Sequence, residues 1–397
     1  MKRMEAVNGA ALKPLKVGAR EVPHAVIESN YTCNRRCVLC YNQSREIVKP
    51  LEQIRSEVDQ AMRKRNLETI SILGGEPTLH PDLPAIVRYV KEKNVYCQIL
   101  TNGIVLFRDA RDRLLKRLVE AGIDRIVLHV DCGQGIGQEE MDAMCMTLFR
   151  KFEDRGVCFA LSSTLYHENI EGLPSLMRRH ASFRYFDGIL ATLARPNEEM
   201  IHPVPPAFSR PALEDVDVSI REGLAVRPSS YIPSSLDDEE IRWLMYLYYI
   251  NARTGVTFPL SPALVRLMRR AYRVVEGRNM FAATTRLSRF TAVFLAISLL
   301  ECLLRPSAIP QILRLMSHSR MFRDLRFHSI VLQSVPGFNP EQDCVEICYH
   351  CPDATIRNGR LAPVCLADSM SPPGGAGEDA PPDTALAAAI YAHLEEP

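Results

Sequence analysis

Between residues 22 and 197, short apolar runs of strand length alternate with longer stretches in which apolar residues recur every three to four positions. HAVIES, TISILGG, VYCQILTN, RIVLHVD, VCFALSST and GILATLA read as six strands. LEQIRSEVDQAMRKRN, PDLPAIVRYVKEKN, RDRLLKRLVEAG, QEEMDAMCMTLFRKFEDRG and EGLPSLMRRHA read as five amphipathic helices between them. Strands joined through helices run parallel with right-handed crossovers, and six units fall short of the eight of a closed barrel. The pattern predicts an α/β fold, a partial (β/α)6 TIM-type barrel over 22–197, preceded by a polar extension at 1–21. After Pro196 the rhythm breaks at the proline-rich linker HPVPPAFSRP, and 198–335 is expected as an added helical region, with no sustained two-residue alternation. Within it FTAVFLAISLL, flanked by Arg289 and Arg305, is short of the ~20 residues a membrane span needs and is expected as a buried or interfacial helix. A small four-cysteine domain at 336–370 and a flexible tail at 371–397, rich in Pro, Gly and Asp before an alanine-rich helix, complete the expected organisation.

Composition narrows the setting. Of 397 residues, 47% are hydrophobic, enough for one large core or two smaller ones, and a net charge of +1 gives no nucleic-acid signal. The opening MKRMEAVNGAALKPLKVGAR holds no apolar block of the kind a signal peptide carries, so the expected location is the cytoplasm. There, twelve cysteines at local spacings are metal ligands or catalytic groups more often than a disulfide framework. Charge is unevenly spread: from Ile241 to Ile330 fourteen arginines and no lysine stand against three acids, leaving an excess of eleven positive charges beside long apolar runs. That combination reads either as a solvated helical face or as a tunnel or peripheral membrane surface for an anionic, apolar molecule.

The chemistry-bearing residues follow the strands. CNRRCVLC comes directly after the first, GGEP after the second, TNG after the third and DCGQG after the fourth, the end of a parallel sheet where such folds place their sites. Three thiolates on one short loop can hold three irons of a cubane cluster and leave the fourth open, while the same spacing taken alone also suits half of a zinc site. In GGEP two glycines permit close backbone approach, and one carboxylate can offset one ammonium.

The C-x3-C-x2-C loop behind the first strand of a partial barrel resembles the radical S-adenosylmethionine (SAM) enzymes over roughly the first half of the chain. The resemblance implies that Cys33, Cys37 and Cys40 hold a [4Fe-4S] cluster whose open iron binds the methionyl amine and carboxylate of SAM. It further implies that Gly74, Gly75, Glu76 and Pro77 hold the methionyl amine, and that Asn102 and Asp131 contact the ribose. The family often has an aromatic residue before the third cysteine; here Leu39 stands there, with Tyr41 after the cysteine as a substitute for adenine packing.

A second group, Cys344, Cys348, Cys351 and Cys365 at x3, x2, x13 spacing, is a complete set of four thiolate ligands. It is similar in plan to the shorter auxiliary cluster extensions of that family and implies a second [4Fe-4S] cluster, with zinc as the alternative metal. The expected activity is reductive cleavage of SAM to a 5'-deoxyadenosyl radical that abstracts hydrogen from a small-molecule, lipid or peptide substrate, supported by an electron donor such as flavodoxin or ferredoxin. The rival class is a non-catalytic iron-sulfur or zinc protein for sensing or electron relay, which would have no need of GGEP and TNG.

Overall fold

A computed structural model describes residues 12–40, 42, 46–130, 137–194, 208–281, 291–317, 323–339 and 344–370. The six expected strands form: β1 (His24–Asn30), β2 (Thr69–Gly74), β3 (Tyr96–Thr101), β4 (Arg125–His129), β5 (Cys158–Leu165) and β6 (Phe186–Leu193). They pair in chain order, each parallel to the next, starting with His24 opposite Thr69. The helices between them also form: α1 (Leu51–Lys64), α2 (Leu83–Glu92), a short α3 (Ile104–Arg108), α4 (Arg113–Glu120), α5 (Gln138–Asp154) and α6 (Gly172–His180). β1 is buried at every position, because helices cover one face and the barrel interior takes the other.

The sheet does not stop at β6, and here the expected helical region needs correction. After α7 (Leu213–Leu224), the chain forms β7 (Ser230–Pro233), β8 (Ile241–Asn251) and β9 (Thr257–Pro259). Beyond α8 (Pro262–Glu276), α9 (Thr291–Leu304) and α10 (Ile309–Met316) it adds β10 (Leu325–Gln333). β10 joins β6 in parallel, β8 joins β10 antiparallel and β7 closes that edge, so four of these strands belong to one sheet of ten among the described residues, with β9 paired to β8. WLMYLYYI is therefore a strand. It lacks alternation because both its faces are covered: Trp243, Leu244, Tyr246 and Tyr248 point into the main core, while Leu247 and Tyr249 pack on a second core against Leu264, Val265, Ile297 and Leu315 of the three helices. A short apolar run buried on both sides has no period to read, and only its three tyrosines and tryptophan marked it as a strand. TAVFLAISLL does form a helix, and no described helix is long and apolar enough to cross a membrane; Phe290 lies outside the described residues.

The chain then makes two small hairpins, β11 (Gly337–Asn339) with β12 (Cys344–Glu346) and β13 (Ala354–Arg357) with β14 (Arg360–Pro363), before α11 (Ala367–Met370). β13 packs on β1 and α1, so the C-terminal segment lies against the free edge of the first strand. Part of the N-terminal extension is also tied down: Leu15 N donates to Tyr231 O at 2.7 Å on the opposite sheet edge.

Candidate active site

The turn after β2 is built by close approach. A Cβ on Gly74 would lie 2.1 Å from the Asn30 carbonyl oxygen, and one on Gly75 2.2 Å from that of Thr32, so neither position admits a side chain. In return, Gly75 N donates to Asn30 O at 2.7 Å and Glu76 N to Thr32 O at 2.9 Å. The Asn30 amide adds bonds to Thr32 O and Glu76 O at 2.9 and 3.1 Å. GGEP is thus laced to the exit of β1, one residue before Cys33.

Glu76, 1% exposed, caps the turn that Pro77 opens. Its Oε1 accepts from Thr78 N at 3.0 Å, from Thr78 Oγ1 and from Thr101 Oγ1 at 2.5 Å, while Oε2 accepts from Asn102 N at 2.8 Å. Burial pushes its carboxyl pKa up, and these donors pull it back. Oε1 thus takes three donors and Oε2 only one, so the acceptor capacity that remains on this carboxylate lies on Oε2. Asn102 donates from Nδ2 to Asn34 Oδ1 at 2.7 Å and accepts from Ile104 N at 3.1 Å, which links the third strand to the cysteine loop. Thr78, Thr101 and Asn34 are the partners that sequence reasoning missed; each directly flanks a residue it did single out.

Cys33, Cys37 and Cys40 are half-buried on the loop that leaves β1. Arg35 N donates to Cys33 Sγ at 3.4 Å, and Cys40 N to Cys37 O at 3.2 Å in a tight turn. Burial pushes the Cys33 thiol up, and nearby Glu76 adds to this, so a bound metal cation would be needed to make it a thiolate. The three thiols share one loop without meeting at a common centre: among the described residues no three His, Cys, Asp or Glu are drawn together as a metal set. The donor chemistry, soft sulfur with a backbone N–H to one of the sulfurs, suits an iron-sulfur cluster. Tyr41 and Asp131 lie outside the described residues.

In the C-terminal group, Cys348 and Cys351 are buried and Cys365 is half-buried; Cys344 sits in β12, its side chain outside the described set. Contact with the Cys351 thiol, then Trp243 and Arg242, favours the Cys348 thiolate, which in turn pushes Cys351 up with a smaller push from Cys365. The loop is held from below by Arg65, whose guanidinium donates to the carbonyls of His24, His350, Cys351 and Pro352 at 2.8 to 3.4 Å. It is held from above by Arg357, which pairs with Glu28 at 2.8 Å and Asp368 at 3.0 Å and hydrogen-bonds the Tyr31 hydroxyl. Both arginines are buried.

A cavity of ≈ 200 Å³ fills the barrel. Its floor is a polar chain: the Ser71 hydroxyl lies 3.1 Å from His24 Nε2 and 2.6 Å from its donor Gln98 Nε2, and Arg125 donates to Gln98 at 3.3 Å and Asp187 at 3.0 Å. Burial and the Arg65 charge lower His24 to about 3, so its ring is neutral where it lies 3.5 Å from Asp353, a carboxyl raised by burial to about 6. Above the floor, Val26, Leu73, Leu100, Val127, Ile189 and Val331 form an apolar sleeve leading toward GGEP and TNG. The C-terminal segment supplies Tyr349, Pro352 and Asp353 to the wall.

Residues 27–142 match the Radical SAM superfamily family model. Fe-coproporphyrin III synthase of Methanosarcina barkeri is 26% identical over 167 residues, 39% of this chain and 40% of its own length. GTP 3',8-cyclase of Chlorobaculum tepidum is 34% identical over 122 residues, 28% of this chain and 34% of its own. The chain thus spans well under half the length of these curated relatives. Among solved structures, Streptococcus suis SuiB bound to S-adenosylmethionine is 15% identical, with a TM-score of 0.42 covering 54% of this chain and 48% of that one.

Proposed function

We propose that the chain, whose residues 27–142 match the Radical SAM superfamily model, is a SAM-cleaving enzyme whose substrate occupies the barrel cavity. In this reading Cys33, Cys37 and Cys40 ligate a [4Fe-4S] cluster with one iron left for the methionyl amine and carboxylate of SAM. Once bound, cluster and SAM together supply a 5'-deoxyadenosyl radical for hydrogen abstraction. The residues of the chain bind and orient. Gly74 and Gly75 bring bare backbone to the methionyl end, Glu76 offers Oε2 to the ammonium, and Asn102 reaches the ribose with Asp131, while Tyr41 packs on the adenine. The observation that carries the reading is the lacing of GGEP onto the exit of β1, which puts a buried carboxylate beside the first cysteine.

The C-terminal cysteines, in a segment 336–370 that we treat as an auxiliary domain, are assigned a second [4Fe-4S] cluster, with zinc the competing metal. Electrons come from a small donor such as flavodoxin or ferredoxin. The apolar sleeve favours a small apolar substrate over a peptide. Leu299, Leu303, Ile309 and Leu313 are exposed on α9 and α10 near Arg314, which supports peripheral contact with an anionic membrane. Flotation with anionic and neutral vesicles at low salt tests it, and absence of lipid association removes that contact.

The central test is anaerobic incubation with SAM and dithionite after cluster reconstitution. The wild-type protein releases 5'-deoxyadenosine, and the triple alanine variant of Cys33, Cys37 and Cys40 releases none while losing about half its iron, four of eight atoms for two cubane clusters. Absence of 5'-deoxyadenosine from fully loaded wild type would return the chain to the electron-relay class.

A further inference from the structure

The floor of the barrel holds a cation with no hydrogen-bond or ion-pair partner among the described residues. α8 is clamped beneath the amino ends of the strands: Tyr272 and the Phe281 backbone both donate to Glu68, at 2.7 and 2.6 Å, and Asn279 donates to Glu21 O at 2.8 Å. Phe281 stacks on His24 at 4.5 Å. From this helix Arg269 lines the cavity beside Val265 and Leu247. It is half-buried, and among the described residues no ion pair or hydrogen bond involves it, whereas the other cation of the floor, Arg125, is engaged by Asp187 and Gln98.

A guanidinium held against apolar walls without a counter-charge costs free energy, and an anion on it recovers that cost through charge-assisted, bidentate bonds. Burial and the neighbouring Arg273 charge both work against its protonated form. Above it, Val26, Leu73, Leu100, Val127 and Val331 line the way toward the glycine turn, with Asp353 the acid in the wall supplied by the C-terminal segment.

We propose that the cavity binds a small apolar molecule tail-up, its single carboxylate or phosphate on Arg269 at the barrel floor and its hydrocarbon end directed along the sleeve toward the cysteine loop. Arg269 is then the residue that sets substrate orientation and which end of the molecule reaches the reactive rim. The assignment rests on the radical SAM reading for the meaning of the site, but its test needs no SAM chemistry.

The probes are decanoate and decyl phosphate, with decanol as the neutral match. Binding to the full-length, cluster-loaded protein is read by equilibrium dialysis and by the emission of Trp243, the only tryptophan of the chain and a cavity wall residue. At least one anion should bind ten-fold or more tighter than decanol, the size of one charged hydrogen-bonded contact. Arg269→Gln should erase that preference while leaving decanol binding in place, and Arg269→Lys should restore part of it. Decanol binding and the circular dichroism spectrum report whether the Gln variant is folded. Equal affinity for anions and decanol in the wild type, or an anion preference that survives in Arg269→Gln, would overturn the proposal. Release of 5'-deoxyadenosine is scored separately, so a failed anchor and a failed SAM reading give different results.

Discussion

Replacing Arg357 with Gln removes the cation that links the C-terminal segment to β1. Its side chain is 6% exposed and lies 2.8 Å from Glu28, itself 2% exposed, and 3.0 Å from Asp368. Breaking a buried pair by deleting one partner costs about 3–5 kcal/mol, because the remaining charge is left in a poorly solvating site. Glu28 has an escape, since it can take up a proton. Its carboxyl is already raised by burial and is held down first of all by Arg357, so in the variant it rises further. The folded protein then binds a proton that the unfolded chain, near 4.3 for a free Glu, does not. Stability contributed by a raised carboxyl is present at low pH and lost as pH climbs through the folded value. The defect should therefore be largest at pH 8, about 3 kcal/mol or more, and should shrink toward pH 5.5 by up to ~1.4 kcal/mol for each unit over which Glu28 titrates. Urea unfolding followed by Trp243 emission under anaerobic conditions measures it, and the Glu28→Gln, Arg357→Gln double variant should recover a large part of the loss. Unfolding midpoints equal to wild type at pH 8, or a loss that grows as the pH falls, would refute the reasoning.

Glu76→Gln should weaken SAM binding in equilibrium dialysis with iron content unchanged, because a carboxylate oxygen is exchanged for an amide without touching a cysteine; unchanged affinity would make GGEP a turn and nothing more. Gly75→Ala puts a Cβ on the Thr32 carbonyl and should abolish iron loading at Cys33, Cys37 and Cys40; a variant that loads iron normally would show that the turn can relax. Arg65→Met frees the carbonyls of the CYHCP loop, costing roughly 3 kcal/mol or more, and should raise the reactivity of Cys348 and Cys351 toward a thiol reagent in metal-free protein; equal reaction rates would locate the anchor elsewhere.

The barrel was legible because its strands and helices keep separate periods, and because parallel strands in register deliver every loop to one rim. CNRRCVLC, GGEP and TNG announce themselves by residue type and spacing, and the structure joins them through Asn30, Asn34 and Glu76. β8 was not legible, since burial on both faces erases alternation. Nor were Arg65, Arg357 and Arg269. Each is one arginine in a chain with many, and what distinguishes them is what they meet in space: four carbonyls, two carboxylates and a tyrosine, or an apolar cavity. The arginine excess of 241–330 was visible as a sum, but the sum did not show that Arg242 pairs with Glu346, Arg305 with Glu301 and Arg273 with Glu21, while Arg269 turns inward.

The hydrogen bond between Tyr31 and Arg357 joins residues 326 positions apart, and Arg65 reaches Cys351 across 286. On a ribosome adding ~5–20 residues per second, the later partners emerge roughly 15–65 s after the earlier ones. Throughout that interval the first half of β1 keeps an edge that the C-terminal segment has not yet covered, the kind of surface that recruits other chains. Synthesis order thus leaves the outer side of β1 uncovered until the last strands dock, and a chaperone that shields it has its opportunity before release, not after.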